Sequence, residues 1–89
     1  MSRLHKLFLL PQAVEDFQAI YEPLRSAVIR RLQMLQRFPR MGVPLVRKYV
    51  GWRATTVGVF RIIYRVTARG IEVGYIRHCK RGLPGESKN

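Results

Sequence analysis

The stretch FRIIYRV at positions 60–66 sets two arginines, Arg61 and Arg65, into an otherwise apolar, strand-like pattern. Successive side chains of an extended strand point to opposite faces, so both arginines share one face and the residues at even positions share the other. The even face belongs in a core, and the odd face presents two fixed positive charges. Because guanidinium groups bind phosphate oxygens through paired hydrogen bonds, this pattern predicts phosphate recognition.

Basic residues dominate the whole chain, with 17 Lys and Arg against 5 Asp and Glu and a formal net charge of +12. No acidic residue lies between Glu22 and Glu72, whereas eleven basic residues do. The alternative to a binding surface is a merely solvated basic face. An excess this large on a small domain favours a polyanionic partner. A membrane partner is not expected, because the chain has no long basic amphipathic helix and no lipidation motif.

The length of 89 residues predicts a single domain over residues 1–89. Cys79 is the only cysteine, which excludes an intrachain disulfide, and one cysteine with two histidines does not make a metal site. We therefore expect no metal and no cofactor. The apolar run Leu7–Leu10 is shorter than a signal peptide needs, and no stretch is long enough to span a bilayer. We expect the cytoplasm as the compartment.

The first half of the chain predicts one strand and two helices. The apolar run over residues 4–10 indicates a strand that stops at Pro11, a residue that suits the first turn of a helix. Apolar side chains at three- and four-residue spacing then predict two successive helices, with Pro23 between them and Pro39 at the end of the second. The first apolar stripe is Ala13, Phe17, Ile20 and Leu24, and the second is Leu24, Val28, Leu32, Leu35 and Phe38.

The second half predicts a loop followed by three strands. Residues 39–51 hold two prolines, two glycines and no clear period, which indicates an ordered loop. Strands are predicted over residues 52–57, 59–67 and 71–78, joined by tight turns. The result is an α+β fold of order β-α-α-β-β-β. Its two N-terminal helices form a hairpin on one face of a small, mainly antiparallel four-stranded sheet, and the opposite face carries Arg61 and Arg65.

Several short motifs occur along the chain. Each is weak on its own, but their common order and spacing are specific. Together they resemble the RelE/ParE superfamily of bacterial toxins from type II toxin–antitoxin modules. The motifs are Ala13-x-x-Asp16-Phe17, the exit of the second helix from Leu32 to Pro39, Trp52-Arg53, Phe60-Arg61-Ile62-Ile63-Tyr64, and Ile76-Arg77-His78-Cys79-Lys80-Arg81.

The resemblance implies a toxin that inhibits growth and is neutralised by a cognate acidic antitoxin. RelE-like members of the superfamily cut messenger RNA on the ribosome without a metal, whereas ParE-like members inhibit DNA gyrase and are not thought to be nucleases. The resemblance alone does not choose between these branches. We expect the first activity, an mRNA endoribonuclease whose partners are the ribosome and its message, and keep gyrase inhibition as the alternative.

Metal-free RNA cleavage requires cations beside the phosphate and groups that move protons to and from the ribose oxygens. Arg61 and Arg81 match the basic positions of RelE-like toxins best, and His78 changes charge near neutral pH. We therefore expect Arg61, Arg81 and His78 to be catalytic. The residues expected to bind RNA phosphates are Arg53, Arg65, Arg77 and Lys80.

Two alternatives to the nuclease follow from the sequence. RelE-like nucleases often carry a tyrosine a few residues beyond the final arginine, and the segment from Gly82 to Ser87 has none. That departure supports the gyrase-directed toxin. The other alternative is a nucleic-acid-binding module without toxicity, for which induced expression would leave growth unaltered.

Overall fold

A computed structural model describes residues 4–80 of the chain. Arg81, one of the expected catalytic residues, lies outside the described residues. The elements, in chain order, are β1 (Leu7–Leu9), α1 (Pro11–Gln18), α2 (Leu24–Arg37), β2 (Val43–Pro44), a short 3-10 helix (Arg47–Tyr49), β3 (Arg53–Val57), β4 (Phe60–Thr67) and β5 (Gly70–His78).

The sheet has five strands in the order β1-β5-β4-β3-β2, so the predicted number of four is wrong. β1 pairs with β5 in parallel, and the other three pairings are antiparallel. The additional strand, β2, lies within the segment predicted to be a loop. It has only two residues, and Pro44 has no backbone N–H to donate, so the local sequence gives no strand signal there.

The two helices begin near the predicted prolines, but α1 ends at Gln18, earlier than its apolar stripe indicates. Arg25, in the first turn of α2, donates from Nη1 to the carbonyl oxygens of Phe17 and Ile20, both at 3.2 Å. Its guanidinium carbon lies 4.2 Å from the centre of the Phe17 ring. These contacts satisfy carbonyls that the end of a helix leaves unpaired, and they hold α1 against the start of α2.

Glu22 stabilises the other side of this junction. Its carboxylate accepts hydrogen bonds from the backbone N–H of Ser26 at 3.1 Å and from the Ser26 hydroxyl at 2.8 Å. These two bonds from Ser26 lower the pKa of Glu22 below its ordinary value. A carboxylate beside the first turn of a helix is also favoured by the helix dipole, so α2 begins with a satisfied amino end.

The core lies between the two helices and one face of the sheet, which we call the helix face. β4 and β5 contribute Ile62, Tyr64, Val73 and Ile76 to it, and every one of them is buried. Side-chain alternation in β4 therefore follows the predicted parity, with even positions inward. Burial of this apolar surface is the main stabilising contribution expected for a domain of this size.

Tyr64 places a polar group inside the core, and its buried hydroxyl has hydrogen-bond partners there. The hydroxyl donates to the carbonyl oxygen of Pro39 at 2.7 Å and accepts from the backbone N–H of Gly42 at 2.8 Å. A Cβ at Gly42 would lie 2.6 Å from the Tyr64 hydroxyl oxygen, so only glycine permits this approach. Tyr64 thus ties the turn after α2 to the middle of the sheet.

Candidate nucleic-acid interface

The face of the sheet opposite the helices, which we call the open face, carries the arginines singled out in β4. Arg61 pairs across the strands with Arg77, and Arg65 with Glu72. Between them, Ile63 lies on the same face opposite Tyr75 and is fully buried. The open face is therefore not uniformly charged, because an apolar centre separates two polar ends.

Arg61 and Arg77 form the first of these ends, and they are directly opposite each other in antiparallel strands. Like charges at such positions repel, since the Cβ atoms of cross-strand neighbours are only about 4.5–5.5 Å apart. Within residues 4–80 neither guanidinium forms an ion pair with a carboxylate. Arg77 Nε is buried and has no hydrogen-bond acceptor in the part of the chain that is described. A bound anion would offset the repulsion between the two guanidiniums.

Arg65 forms the opposite end, where two guanidiniums share one carboxylate. Its Nε donates to Glu72 Oε1 at 2.9 Å, and Arg69 reaches Glu72 Oε2 at 3.2 Å. The Arg65 guanidinium carbon also lies 4.5 Å from the centre of the Trp52 ring. Arg65, expected to bind phosphate, therefore has a carboxylate partner, which Arg61 and Arg77 lack within residues 4–80.

Arg53 lies on the helix face, not with Arg61. In β3 it is directly opposite Tyr64, and its Nη1 donates to the carbonyl oxygens of Arg40 at 3.2 Å and Gly42 at 2.8 Å. The expected convergence of Arg53 and Arg61 on one surface is not found, because the strand register places them on opposite faces. In this geometry Arg53 supports the same turn that Tyr64 holds.

His78 also lies on the helix face, since it pairs with Phe60 at the end of β5. Its ring meets the Phe60 ring edge to face, with centroids 5.8 Å apart and planes at 73°. The Nδ1 atom accepts a hydrogen bond from the backbone N–H of Lys80 at 3.1 Å. In the neutral ring the proton therefore resides on Nε2, which can donate a hydrogen bond.

His78 borders a cleft of about 370 Å³ at the end of the sheet. Lys80, the other cation expected to bind phosphate, contributes to the same cleft. The cleft and the open face meet only at the end of β5, where Arg77 and His78 are neighbours in sequence but point to opposite sides. The remaining lining residues are Asp16, Ala19, Ile20, Phe60, Ile76 and Arg77.

Asp16 protects the edge of β5 that β1 leaves uncovered. β1 pairs with β5 only as far as Val73, and beyond it the backbone N–H of Ile76 donates to Asp16 Oδ2 at 2.9 Å. The other carboxylate oxygen, Oδ1, accepts from Gln12 at 3.0 Å. The acidic residue of the Ala13-x-x-Asp16-Phe17 motif therefore holds α1 against the last strand.

Replacing Asp16 by Ala is expected to lower the free energy of unfolding by about 1–3 kcal/mol, because it leaves the Ile76 N–H without its charged acceptor. Urea unfolding followed by circular dichroism measures the change. Gln12→Ala is the matched control, since it removes only the exposed side-chain contact to Asp16. Equal stability of Asp16→Ala and the unaltered chain would contradict this role.

Gly74 determines which residues of β5 share the open face. Strict alternation of side chains along the sequence does not predict this arrangement, because the alternation is interrupted at Gly74. The cross-strand register shifts by one residue at this point, so Ile71 and Val73 face the helices whereas Tyr75 and Arg77 face the open side. A Cβ at Gly74 would lie 2.7 Å from Trp52 Cζ3. The bulge and the covering indole therefore depend on a glycine at this position.

Tyr75 is an open-face residue that the sequence reasoning did not select. The Arg77 guanidinium carbon lies 5.3 Å from its ring centre. The sequence feature that could have identified Tyr75 is its spacing of two residues from Arg77, because residues two apart in a strand share one face. Cys79 follows the end of β5 and is exposed.

Within residues 4–80 no group of three or more His, Cys, Asp or Glu side chains is arranged to hold a metal ion. In the same part of the chain, no helix is both long enough and apolar enough to cross a membrane. At one end the open face carries the two cations Arg61 and Arg77 beside the aromatic ring of Tyr75.

Comparison with known proteins assigns the family. Residues 7–83 match the model of the ParE toxin of type II toxin–antitoxin systems, parDE. The chain belongs to the ParE toxin family. This membership confirms the RelE/ParE superfamily that the motifs indicated. No curated protein matches the chain.

Two solved structures share the fold of this ParE-family chain. One is the toxin–antitoxin complex RelBE2 from Mycobacterium tuberculosis, with a TM-score of 0.76 and 23% identity over 84% of this chain and 98% of that chain. The other is the chromosomal ParDE system from P. aeruginosa, with a TM-score of 0.68 and 20% identity over 86% of this chain and 98% of that chain.

Proposed function

We propose that this chain is the growth-inhibiting toxin of a type II module, that a cognate acidic antitoxin neutralises it, and that its target is messenger RNA on the ribosome. The observation that carries the proposal is the cross-strand pair of Arg61 and Arg77. Two guanidiniums that have no carboxylate partner within residues 4–80, side by side on an open sheet face, fit the oxygens of a phosphodiester.

The proposed reaction is metal-independent cleavage in which the ribose 2′-hydroxyl loses its proton to water and attacks the adjacent phosphorus, the bond from phosphorus to the 5′ oxygen breaks, and that oxygen leaves with a proton from the toxin. Arg61 and Arg77 would stabilise the charge that develops on the phosphate oxygens, a role that a permanently protonated side chain can fill. Arg81, three residues beyond the end of β5, is the proposed third cation. Arg65 and Lys80 would contact flanking phosphates.

His78 is the proposed proton donor to the leaving oxygen: as the imidazolium it would give up the Nε2 proton and return to the neutral ring, whose Nδ1 accepts from the Lys80 N–H. Since its side chain leaves the opposite face from Arg77, the scissile phosphate would have to lie at the end of β5, where both sides are within reach. Arg53 is not included in this site, because its guanidinium holds the turn after α2.

The test is primer extension on a message translated in a cell-free extract, with and without the toxin. New 5′ ends that require both translation and the toxin are expected, and they should be absent from a time-zero control. A His78→Gln variant is expected to slow their appearance by about 10²-fold, which is the usual contribution of a positioned proton donor. Absence of toxin-dependent ends would remove the nuclease proposal.

A gyrase-directed toxin is the second candidate, favoured by the separation of His78 from the arginine pair. A toxin that acts by binding alone needs no proton-transfer group beside its cations. Purified gyrase assayed for supercoiling distinguishes the two. Inhibition of supercoiling or accumulation of cleaved DNA, without cleavage of message, would establish the second candidate in place of the first.

A further inference from the structure

The segment from Phe38 to Val50 carries an unusual amount of exposed apolar surface, and we call it the edge segment. Val43, Val46 and Val50 expose 69%, 70% and 71% of their surface. With Phe38 and Met41, the edge segment holds five of the eleven large apolar side chains that are exposed among the described residues. Single exposed apolar residues are ordinary, but a concentration on one surface feature indicates an interaction site.

The backbone of the edge segment is well defined. β2 is the last strand of the sheet, and beyond it the Leu45 N–H donates to the Trp52 carbonyl oxygen at 2.8 Å. Inside this closed loop, the Val50 N–H donates to the Arg47 carbonyl oxygen at 3.1 Å. Val46 and Val50 therefore flank a single turn of 3-10 helix and are presented together, which lowers the entropic cost of binding a partner.

Arg47 is the one non-glycine residue with positive φ in the described chain, at 59°. It is exposed in the edge segment, and its backbone conformation is unfavourable for a residue other than glycine. Strained residues of this kind concentrate at functional positions. The strain turns the loop so that Arg47 and Lys48 lie between the two exposed valines.

The charge of the edge segment determines which partner fits it. Arg40, Arg47 and Lys48 are exposed, and residues 23–71 contain no acidic side chain. A second copy of the chain would bring like charges together, at a net charge of +12 for each copy. A partner with apolar residues and carboxylates complements both the valines and the cations.

We propose that the edge segment is a docking site for an acidic, apolar stretch of the antitoxin. Apolar side chains of that stretch cover Val43, Val46 and Val50, and its carboxylates pair with Arg47 and Lys48. The inference rests on the proposed neutralisation by an antitoxin, but not on the choice between RNA and gyrase. Val43 pairs with Ala54, which pairs with Ile63, so Val43 faces the open side together with the Arg61–Arg77 pair. Val46 and Val50 lie beyond the end of β2, so replacing them tests antitoxin binding and leaves Arg61 and Arg77 in place.

The experiment uses the product of the reading frame that flanks the toxin gene, purified and titrated against the full chain by surface plasmon resonance. Replacing Val46 and Val50 together by Ser is expected to raise the dissociation constant at least tenfold. Val59→Ser, an exposed valine at the β3–β4 turn, is the matched control and is expected to change it less than twofold. Hydrogen exchange should show protection of amides 43–50 in the complex.

An unchanged dissociation constant, an absent complex or unprotected amides at 43–50 would overturn the docking site. Melting temperatures of both variants verify that they are folded. Sedimentation of the chain alone tests the other occupant, because self-association abolished by the double serine variant would assign the surface to a second copy. A double variant that still inhibits growth but is no longer neutralised by the antitoxin supports the proposal. If the unaltered chain never inhibits growth, the proposed function is contradicted, but the affinity measurement still tests the docking site.

Discussion

Replacing Arg61 and Arg77 together by Gln is expected to abolish growth inhibition while making the protein slightly more stable. Each guanidinium that stabilises developing charge contributes about 10²–10³ in rate, so loss of both should leave no detectable cleavage of message. Removing two like charges from opposite positions in neighbouring strands should raise the free energy of unfolding by about 0.2–1 kcal/mol. Primer extension measures the first effect and urea unfolding the second.

Arg30→Gln is the control for this variant, with one fewer positive charge at an exposed position of α2, on the other side of the molecule. It is expected to retain cleavage within a few-fold. The double variant is expected to lose cleavage but gain stability. A variant that merely fails to fold would instead lose both activity and stability, so the two explanations can be told apart. Retained cleavage by the Arg61 and Arg77 double variant would exclude the pair as the phosphate site.

Replacing Tyr64 by Phe is expected to destabilise the protein by about 2–4 kcal/mol, because the loss of one hydroxyl leaves both the Pro39 carbonyl and the buried Gly42 N–H unpaired. For a domain of this size that free energy corresponds to a fall in melting temperature of roughly 10–25 °C. Differential scanning calorimetry measures the shift. Tyr21→Phe, at a position 82% exposed, should leave the melting temperature unchanged.

The same tyrosine predicts how stability depends on pH. Burial raises the pKa of Tyr64 above its ordinary value of 10.0, outweighing the opposite effects of Gly42 and Arg53. Since the folded state favours the neutral phenol, this contribution is complete below pH 10 and is lost as the pH rises through the folded-state pKa. Unfolding free energies should therefore fall more steeply above pH 10 in the unaltered chain than in Tyr64→Phe. Parallel curves would contradict the assignment.

Much of the fold could be read from the sequence because its elements have strong local signals. Apolar spacing and the prolines marked both helices, and alternation marked the face of β4 that carries Arg61. β2 could not be predicted, since two residues with a proline have no period. It exists because it pairs with Arg53 and Ala54, which is a tertiary contact.

The candidate site was only partly predictable, and the strand register shows why. The turn at Gly58 pairs Val57 with Phe60, and counting back along β3 places Arg53 opposite the core residue Tyr64. That separation from Arg61 was available from the sequence. The pairing of Arg61 with Arg77 was not, because it depends on the one-residue shift at Gly74, and a bulge has no signal beyond a glycine in a strand.

The position of the working surface can be tested most directly by photo-crosslinking from two tyrosine positions. Benzoylphenylalanine is introduced in place of Tyr75, on the open face, or in place of exposed Tyr21, between α1 and α2, and each toxin is irradiated in a translating extract. The account predicts a crosslink to messenger RNA from position 75 and none from position 21. Crosslinks to a gyrase subunit from position 75, or RNA crosslinks from position 21 alone, would contradict it.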